Sequence, residues 1–447
     1  MDIKNLLSAK KNVKSSPTKV EDLFEVWEES AEGKAKKSLN NSDLSLLMYG
    51  DESDKEKTIE AVNDMFINAL SRKASDIHIE PREKILRVRF RVDGYFISYK
   101  EFSIQQKEAL IARIKIMSYL RIDEHRHPQD GKINYKMFGW KSIDMRVSVI
   151  PTIYGEKCVI RLLKKDEKPP ELRSLGIMPY NMVRIKKHLK DNHGMILAVG
   201  PTGSGKSTTL FAMLSQFDAS EKNISTLEDP VEYRIKWVNH TQIQPIIDFT
   251  FAKWLRSLLR QDPDIIMVWE IRDEETAKLA IEASITGHIV FSTLHTNSAV
   301  HTIQRLINLW IDPLLISSSL RSIISQRLAR KLCLNCKVGY DPNPKIEKYI
   351  LWEVGKYIKK QKDLTLYKVK EGGCSKCNNI WYSWRIGLYE VLEMTDKLEK
   401  LMLQNASRTQ LEIQAVWDWM VPIKEDALLK VVLGETSLEE ILSVLGH

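Results

Sequence analysis

A glycine-rich segment of the chain has the residue types and spacing of a phosphate-binding loop. Residues 200–207, GPTGSGKS, fit the pattern GxxxxGK[ST], with an apolar run before them and the helix-like run STTLFAMLSQF at their end. In such a loop, backbone N–H groups and a helix N-terminus surround a phosphate. The Lys206 amine would bridge the β- and γ-phosphates of ATP, and the Ser207 hydroxyl would bind Mg²⁺. The predicted nucleotide-binding residues are Gly200, Pro201, Thr202, Gly203, Ser204, Gly205, Lys206, Ser207 and Thr208.

Three further polar side chains stand where short apolar runs end. Glu270 ends the run DIIMVWE, which predicts its carboxylate at the phosphate edge of a sheet, where hydrolysis needs an acid. Glu228 lies at the end of ISTLED in the same way and could position water or hold Mg²⁺ through water. His295 ends HIVFSTLH and is interpreted as a γ-phosphate contact. The plainer alternatives are a surface glutamate at a strand end and a structural histidine.

Four of the five cysteines form two pairs with the spacing of a zinc site. Cys333 and Cys336 make one Cys-x₂-Cys pair, and Cys374 and Cys377 make the other. Four thiolates form a closed tetrahedral Zn²⁺ site with no open position for chemistry, so the predicted role is structural. Cys158, inside a predicted strand, is interpreted as a small core residue.

The elements that must position these residues alternate along the chain. From about Leu172, short apolar runs at 195–200, 224–229, 264–270 and 288–295 are separated by helix-like stretches. This alternation is typical of a mostly parallel sheet with helices on both faces. After residue 300 the sequence predicts helices, apart from the cysteine-bearing insert.

A smaller unit with a different pattern precedes them. Thr58 is the predicted N-cap of a helix, and residues 85–92 alternate between apolar side chains and arginines, as a half-buried strand does. Asp93-Gly94 predicts a hairpin turn. The stretch KKDEKPPE reads as a linker, because prolines and charges interrupt both helix and strand. These patterns predict a small α+β domain.

Composition excludes several classes of protein. The chain has 447 residues and a formal net charge of +8, which is mild for this length and does not by itself indicate nucleic acid. There is no run of about 18 apolar residues and no secretory signal pattern at the N-terminus. Five cysteines in so long a chain exclude a disulfide scaffold and fit a reducing compartment. Residues 1–57, rich in charged and small polar side chains, are predicted to be a flexible extension.

Four sequence boxes occur in one order: GPTGSGKSTTL, ISTLEDPVEY, LRQDPDIIMVWEIRD and TGHIVFSTLHTN. Together they resemble the secretion ATPases that drive type II secretion and type IV pilus assembly, over about residues 58–447. The resemblance implies an α/β fold: a RecA-like P-loop ATPase domain, preceded by a small α+β PAS-like domain and carrying a tetracysteine zinc insert.

The resemblance also implies roles for single residues. Lys206 and Ser207 become the Walker A residues, Glu270 the Walker B glutamate that activates water, Glu228 the key acid of an aspartate box, and His295 the main histidine of its box. Four arginines are implied to reach the phosphates: Arg146 and Arg161 from the small domain, and Arg256 and Arg260 from the motor domain.

The predicted organisation follows from both lines. The domains are an extension at 1–57, the PAS-like domain at 58–165, a linker at 166–171 and the ATPase domain at 172–447, with the zinc insert at 333–377 and a helical part at 393–447. The resemblance implies a homo-hexamer that uses ATP and Mg²⁺ in the cytoplasm, at the inner face of the cytoplasmic membrane. Its implied partners are an inner-membrane platform protein and a recruiting protein, with no nucleic acid. The zinc insert favours assembly over retraction.

Two alternatives stay open at this point. A RecA-like core with a zinc element and a basic pI would also suit a nucleic-acid motor, although no basic aromatic stripe is visible. A nucleotide-binding scaffold without turnover is the other, because Trp269 stands directly before Glu270, where the resembled family has glycine, and so large a side chain should obstruct the site.

The tryptophans are unusual in number and in place. The chain has 11 tryptophans and 19 glycines, and 19 of 447 is about 4% against a usual 7% or so. At eight positions the resembled family has glycine or a tight turn calls for it: Trp140, Trp237, Trp254, Trp269, Trp310, Trp381, Trp384 and Trp419. Our hypothesis is that the gene uses UGA for glycine, as some bacterial lineages do. It predicts backbone strain or displaced tryptophans at these turns.

Overall fold

The computed structural model describes residues 52–136, 142–163, 168–243, 250–358, 364–377 and 380–446. Most of the predicted 1–57 extension and Trp140 lie outside these residues. The described chain forms two compact units. The first contains the described residues up to Phe90, with Phe96–Ile133 and Met145–Arg161; the second contains Arg91–Tyr95, the described part of Asn134–Asp144, and the described residues from Leu162 onward.

The first unit is built around a six-stranded sheet. Helix α1 (Glu52–Ser71) precedes it, and α2 (Gln106–Met117) lies between its third and fourth strands. The strand order is β3-β2-β1-β6-β5-β4. The strands are β1 (Asp76–Pro81), β2 (Ile85–Val92), β3 (Tyr95–Ser103), β4 (Gln129–Lys136), β5 (Ser142–Thr152) and β6 (Gly155–Leu163).

Two local predictions are confirmed in this unit and one is wrong. Strand β2 buries every second residue, as its alternation predicts, and Asp93 and Gly94 form the turn into β3 with φ of 47° and 90°. Helix α1 begins at Glu52 and runs through Thr58, which therefore is not its N-cap. Its early start extends the helix into the charged segment ESDKEK, whose two glutamates and two lysines have good helix propensity.

The second unit is centred on a seven-stranded sheet with the order β15-β12-β7-β11-β10-β8-β9. Every neighbouring pair is parallel except β12 and β15, which confirms the predicted mostly parallel sheet. The strands are β7 (Gly194–Val199), β8 (Ile224–Glu228), β9 (Asn239–Gln242), β10 (Ile265–Val268), β11 (Ile289–Leu294), β12 (Leu320–Leu332) and β15 (Tyr382–Glu393).

Helices cover this sheet and complete its core. All residues of β7, β8, β10 and β11 are buried, and burial of each large apolar side chain contributes about 1.5–3 kcal/mol relative to exposure. The helices before β12 are α3 (Pro179–His188), α4 (Lys206–Leu214), α5 (Phe251–Leu258), α6 (Glu274–Ile285), α7 (Ala299–Asn308) and α8 (Pro313–Ser319).

The prediction of helices after residue 300 is wrong for β12 and β15, which pair over most of their length. In β12 the apolar residues Leu320, Ile323, Ile324 and Leu328 happen to follow a helical spacing. The strand is nevertheless central in the sheet, so its serines and Gln326 are buried as well. Burial on both faces hides the two-residue period that marks a strand.

The cysteine-bearing region and the C-terminus complete the second unit. The strands β13 (Val338–Tyr340) and β14 (Leu366–Lys368) form a small antiparallel sheet around α9 (Pro344–Val354). Four C-terminal helices follow β15: α10 (Asp396–Leu403), α11 (Arg408–Trp417), α12 (Ile423–Val432) and α13 (Leu438–Leu445). None of the helices in the described ranges combines the length and apolar character needed to span a bilayer.

The backbone is unusual at five tryptophans. In the described residues, ten non-glycine residues have a φ between 47° and 72°, and five of these ten are tryptophans. They are Trp237, Trp310, Trp381, Trp384 and Trp419, with φ from 60° to 72°. The predicted strain is therefore present at these five positions. The prediction of strained or displaced tryptophans is wrong at Trp254 and Trp269, which do not have a positive φ and pack, partly buried, against core clusters.

Candidate nucleotide and metal sites

The predicted phosphate loop leaves the end of β7 and enters helix α4. Gly205 is the N-cap of α4 with φ 87°, and Gly200 has φ 148°. A Cβ at Gly200 would lie 2.4 Å from the Gln326 carbonyl oxygen, so only glycine fits there. Ser207 and Thr208 occupy the first turn of α4, where free N–H groups and the helix dipole favour an anion.

Lys206 lies buried in this loop and its amine points back at the loop backbone. The Nζ donates hydrogen bonds to the Gly200 oxygen at 3.0 Å and the Pro201 oxygen at 3.2 Å. Burial lowers the pKa of Lys206. The negative charge of Glu270 raises it, and the positive charge of Arg327 lowers it further. Glu270 is therefore close enough to Lys206 to influence its pKa.

Glu270 lies two residues past the end of β10, at the edge of the sheet where the phosphate loop begins. Its side chain is mostly buried. Oε1 is 3.2 Å from Nε2 of His295, and Oε2 accepts a hydrogen bond from Nε of Arg272 at 2.8 Å. His295 directly follows β11 and is about half exposed. The structure thus brings together three of the predicted residues, Lys206, Glu270 and His295.

Glu228 ends β8, also as predicted, and is completely buried. Its Oε1 accepts hydrogen bonds from the Thr226 hydroxyl at 2.5 Å and from Nδ1 of His240 at 2.8 Å. The Glu232 N–H donates to its Oε2 at 3.3 Å. These contacts hold the carboxylate within the region between β8 and β9.

The four predicted arginines divide between the two units. Arg146 on β5 and Arg161 on β6 lie in the first unit, and Arg161 donates from Nε to Asp76 at 2.9 Å. In the second unit, Arg256 on α5 is paired with Glu275 at 2.7 Å. Arg260 follows in the same segment and donates to the Arg256 carbonyl at 3.0 Å. Both of these side chains are on the protein surface.

Three residues near the loop were missed by the sequence analysis. Gln326 on β12 is buried and donates from Nε2 to the Ser204 carbonyl at 2.7 Å, which ties the loop to the sheet. Arg327 interacts electrostatically with Lys206 and donates to the Asn297 carbonyl at 3.2 Å. Arg272 anchors Glu270. The strand order that places β12 beside β7 was the missing information for the first two; for Arg272 the only available signal was its position two residues after Glu270.

The loop residues fit a bound phosphate. The Ser204 Oγ is buried without a hydrogen-bond partner in the described chain, and the loop glycines have positive φ, which turns backbone N–H groups inward. Lys206 supplies a cation within the loop, and Arg327 influences the pKa of Lys206 electrostatically. Ser207 offers a hydroxyl of the kind that binds Mg²⁺ beside a phosphate.

The four predicted zinc ligands converge on one point. The sulfurs of Cys333, Cys336, Cys374 and Cys377 all lie within 4.8 Å of one another. The Cys333–Cys374 and Cys336–Cys377 separations are both 3.8 Å, and Cys374–Cys377 is 3.7 Å. Zn–S bonds of about 2.3 Å in a tetrahedron give sulfur separations of about 3.8 Å. The geometry therefore fits Zn²⁺. Cys158 is a buried core residue of the first unit, as predicted.

Comparison with known proteins finds the same family that the sequence motifs resemble. The family model described as "Type II/IV secretion system protein" matches residues 51–443. The type II secretion system ATPase E of Vibrio cholerae is 45% identical over 386 residues, which cover 86% of this chain and 75% of that protein. The type IV pilus assembly ATPase PilB of Myxococcus xanthus is 42% identical over 390 residues, with coverage of 87% and 68%.

Solved structures support the fold. The X-ray structure of the Legionella pneumophila ATPase DotB superposes with a TM-score of 0.61 at 21% identity, covering 85% of this chain and 93% of that one. The crystal structure of the pilus retraction motor PilT with bound ADP gives 0.57 at 24% identity, with coverage of 85% and 95%. The predicted α/β, RecA-like fold is thereby confirmed, and the sequence relatives show that the chain belongs to the type II/IV secretion system protein family.

Proposed function

We propose that this chain hydrolyses ATP·Mg²⁺ and acts as a motor for type IV pilus assembly or for assembly of the type II secretion pseudopilus. The observation that carries the proposal is the convergence of Lys206, Glu270 and His295 at one edge of a parallel sheet. Two strand ends and a phosphate loop supply these groups independently. Such convergence is what phosphoryl transfer to water needs: a cation at the phosphates and an acid near the attacking water.

The proposed roles follow from where each atom lies. Residues 200–208 would hold the phosphates of ATP, and the Ser207 hydroxyl would bind the Mg²⁺ that neutralises their charge. The Glu270 carboxylate accepts the proton of the attacking water; its contacts with Arg272 and His295 hold it in one orientation. His295, whose Nε2 lies 3.2 Å from Glu270, would contact the γ-phosphate. Glu228 positions water or Mg²⁺ from the next strand end.

We propose that the arginines complete the site when subunits assemble as a homo-hexamer. Arg161 is 63% exposed, but its partner Asp76 is buried and would lose a donor if Arg161 turned to a phosphate. Arg256 and Arg260 are exposed, so each can exchange a surface partner for a phosphate at little cost. Surface ion pairs of this kind are worth about 0–1 kcal/mol. Arg146 is assigned the same role. A cation carried by a separate domain would link hydrolysis to domain motion.

The proposed setting is the cytoplasm, at the inner face of the cytoplasmic membrane. The partners would be an inner-membrane platform protein that receives the motion and a recruiting protein that holds the motor there. The domain division at residues 57, 165 and 171 remains part of this proposal. The tetracysteine cluster would hold one structural Zn²⁺, which would cross-link the ends of the segment that contains β13, α9 and β14. The presence of this cluster favours an assembly motor over a retraction motor.

Paired measurements of binding and turnover test this function. Lys206→Ala should abolish ATP binding and phosphate release. Glu270→Gln keeps its size and should bind ATP with little change but lose turnover by about 10²–10⁴-fold. Glu274→Gln is the matched control, because Glu274 is a nearby surface acid paired with Lys278. Full turnover in the Glu270→Gln protein would refute the site. Strong stimulation by single-stranded DNA would favour the nucleic-acid motor instead.

A further inference from the structure

Five tryptophans occupy left-handed backbone positions that favour glycine. Trp310 follows helix α7, and its N–H donates to the Ile307 oxygen at 2.9 Å while the Ile311 N–H donates to the Leu306 oxygen at 3.2 Å. Trp419 follows α11 with the same pair of bonds, 3.0 Å to Val416 and 2.9 Å from Met420 to Ala415. This is the Schellman ending of a helix, whose left-handed residue is usually glycine.

The chain contains its own comparison for this helix ending. Gly434 follows α12 with φ 65°, and its N–H donates to Val431 while that of Glu435 donates to Lys430. Three other helices end with the same pair of bonds and a non-glycine residue at φ of 54–58°: Lys73, Tyr119 and Asn405. Trp310 and Trp419 have φ of 60° and 70° at the same place in the motif. Both indoles are 80% exposed, so no burial offsets the strained backbone.

The other three positions are also typical of glycine, for separate reasons. Trp237 is the third residue of a turn closed by the Val238 N–H and the Ile235 oxygen, and its φ is 67°. Trp384, with φ 72°, lies where β15 has one residue more than β12, as in a bulge that places glycine in the left-handed region. Trp381 has φ 67° directly before β15.

We infer that Trp237, Trp310, Trp381, Trp384 and Trp419 are glycines in the protein that the source cell makes, because each is encoded by UGA and that cell reads UGA as glycine. A left-handed backbone disfavours every side chain with a Cβ. Three unrelated turn types with one large residue in common have no physical explanation, whereas one decoding rule explains all five. This inference does not depend on the proposed function.

Codons and native peptides test the inference together. The gene should carry UGA at all five positions, and peptides of the protein purified from the source cell should have the mass of glycine there. UGG at these positions would overturn the inference. So would UGA codons whose native peptides carry tryptophan, since that result would show a cell that reads UGA as tryptophan.

A second observation concerns His240, on β9. Its Nε2 accepts a hydrogen bond from the Ile235 N–H at 3.1 Å, which leaves Nδ1 as the protonated nitrogen. Nδ1 is 2.8 Å from Oε1 of Glu228 and 3.0 Å from the Thr226 hydroxyl. The ring is mostly buried, and Glu228 is completely buried. His240 is therefore fixed by the backbone on one side and directs one N–H at the carboxylate on the other.

From this geometry we propose that His240 is a positioning residue for Glu228, a role that rests on the proposed ATP hydrolysis. A glutamine can reproduce both interactions, since its amide has a donor and an acceptor, whereas leucine offers neither. His240→Leu should lower kcat at least tenfold with an unchanged KM for ATP, and His240→Gln should restore most of the loss. In a Glu228→Gln background, His240→Leu should cause no further loss of kcat.

The outcomes separate this proposal from the function itself. Equal loss in His240→Leu and His240→Gln, or a further loss in the Glu228→Gln background, would overturn the positioning role. An unchanged kcat in His240→Leu would do so too. If the unmodified protein hydrolyses no ATP, that result contradicts the proposed function itself. The urea midpoints of the two His240 variants would then measure only how His240 contributes to folding stability.

Discussion

Replacing tryptophan by glycine should raise the free energy of unfolding at the strained positions and lower it at an unstrained one. Trp310 and Trp419 have φ of 60° and 70° after helices α7 and α11. A residue with a Cβ pays about 1–2 kcal/mol in this region. Glycine removes that strain but loses about 0.5–1 kcal/mol through its greater freedom in the unfolded chain. Trp310→Gly and Trp419→Gly should each stabilise the protein by roughly 0.5–1 kcal/mol.

Trp352 provides the matched control. It lies inside helix α9, two residues before its end, and is 79% exposed, close to the 80% of Trp310 and Trp419. The lost side chain is therefore similar, but the backbone is helical. Trp352→Gly should destabilise the folded protein by about 0.5 kcal/mol, because glycine is a poorer helix former than tryptophan.

Urea unfolding followed by circular dichroism measures these differences without relying on tryptophan fluorescence. The urea midpoints of the Trp310→Gly and Trp419→Gly proteins should rise and that of the Trp352→Gly protein should fall. The slope of the unfolding free energy against urea concentration should not change. Destabilisation by all three substitutions would refute the reasoning, because it would show that the exposed indoles stabilise the fold more than the left-handed backbone strains it.

Three other perturbations test separate parts of the structure. Cys333→Ser should remove most of the zinc measured by plasma emission while leaving ATP affinity intact; full metal content would contradict the tetracysteine site. Gln326→Leu deprives the buried Ser204 carbonyl of its donor and should weaken ATP binding about tenfold, an effect of about 1.4 kcal/mol; unchanged affinity in a calorimetric titration would show that the loop needs no such tie. The hydrogen bond from His188, opposed by burial and supported by Lys187, lowers the pKa of Glu393 to about 2. A carboxyl whose pKa is lowered in the folded state contributes stability that is present above about pH 4.5 and lost as the pH falls towards 2. The urea midpoint of the Glu393→Gln protein should therefore fall less between pH 5 and 3 than that of the unmodified protein. An equally steep fall in both proteins would contradict this role of Glu393.

The phosphate loop was predictable because its chemistry is local. Glycines, Lys206 and Ser207 are consecutive, and the apolar runs of the parallel strands place Glu270 and His295 at one edge wherever the sheet order puts them. The cysteine pairs were predictable for the same reason, since each pair is set by a three-residue spacing. In these cases the sequence distance between the interacting groups is short, or the sheet brings equivalent strand ends together.

Strand order and burial on both faces were not predictable from local pattern. Gln326 supports the phosphate loop only because β12 enters the sheet beside β7, and that neighbour relation joins residues more than a hundred positions apart. The apolar spacing in β12 resembles a helix because the strand is buried on both sides. His240 was overlooked because its contact with Glu228 depends on β9 lying beside β8 at the sheet edge.

The most direct test of the central claim is the fate of ATP on the Glu270→Gln protein. Labelled ATP is mixed with an excess of unmodified or Glu270→Gln protein, and the nucleotide retained on the protein is separated after one turnover time. The account predicts ADP on the unmodified protein and intact ATP on the variant, because the loop still binds phosphates while no carboxylate accepts the proton of the attacking water. Conversion of the bound ATP to ADP at similar rates by both proteins would contradict it.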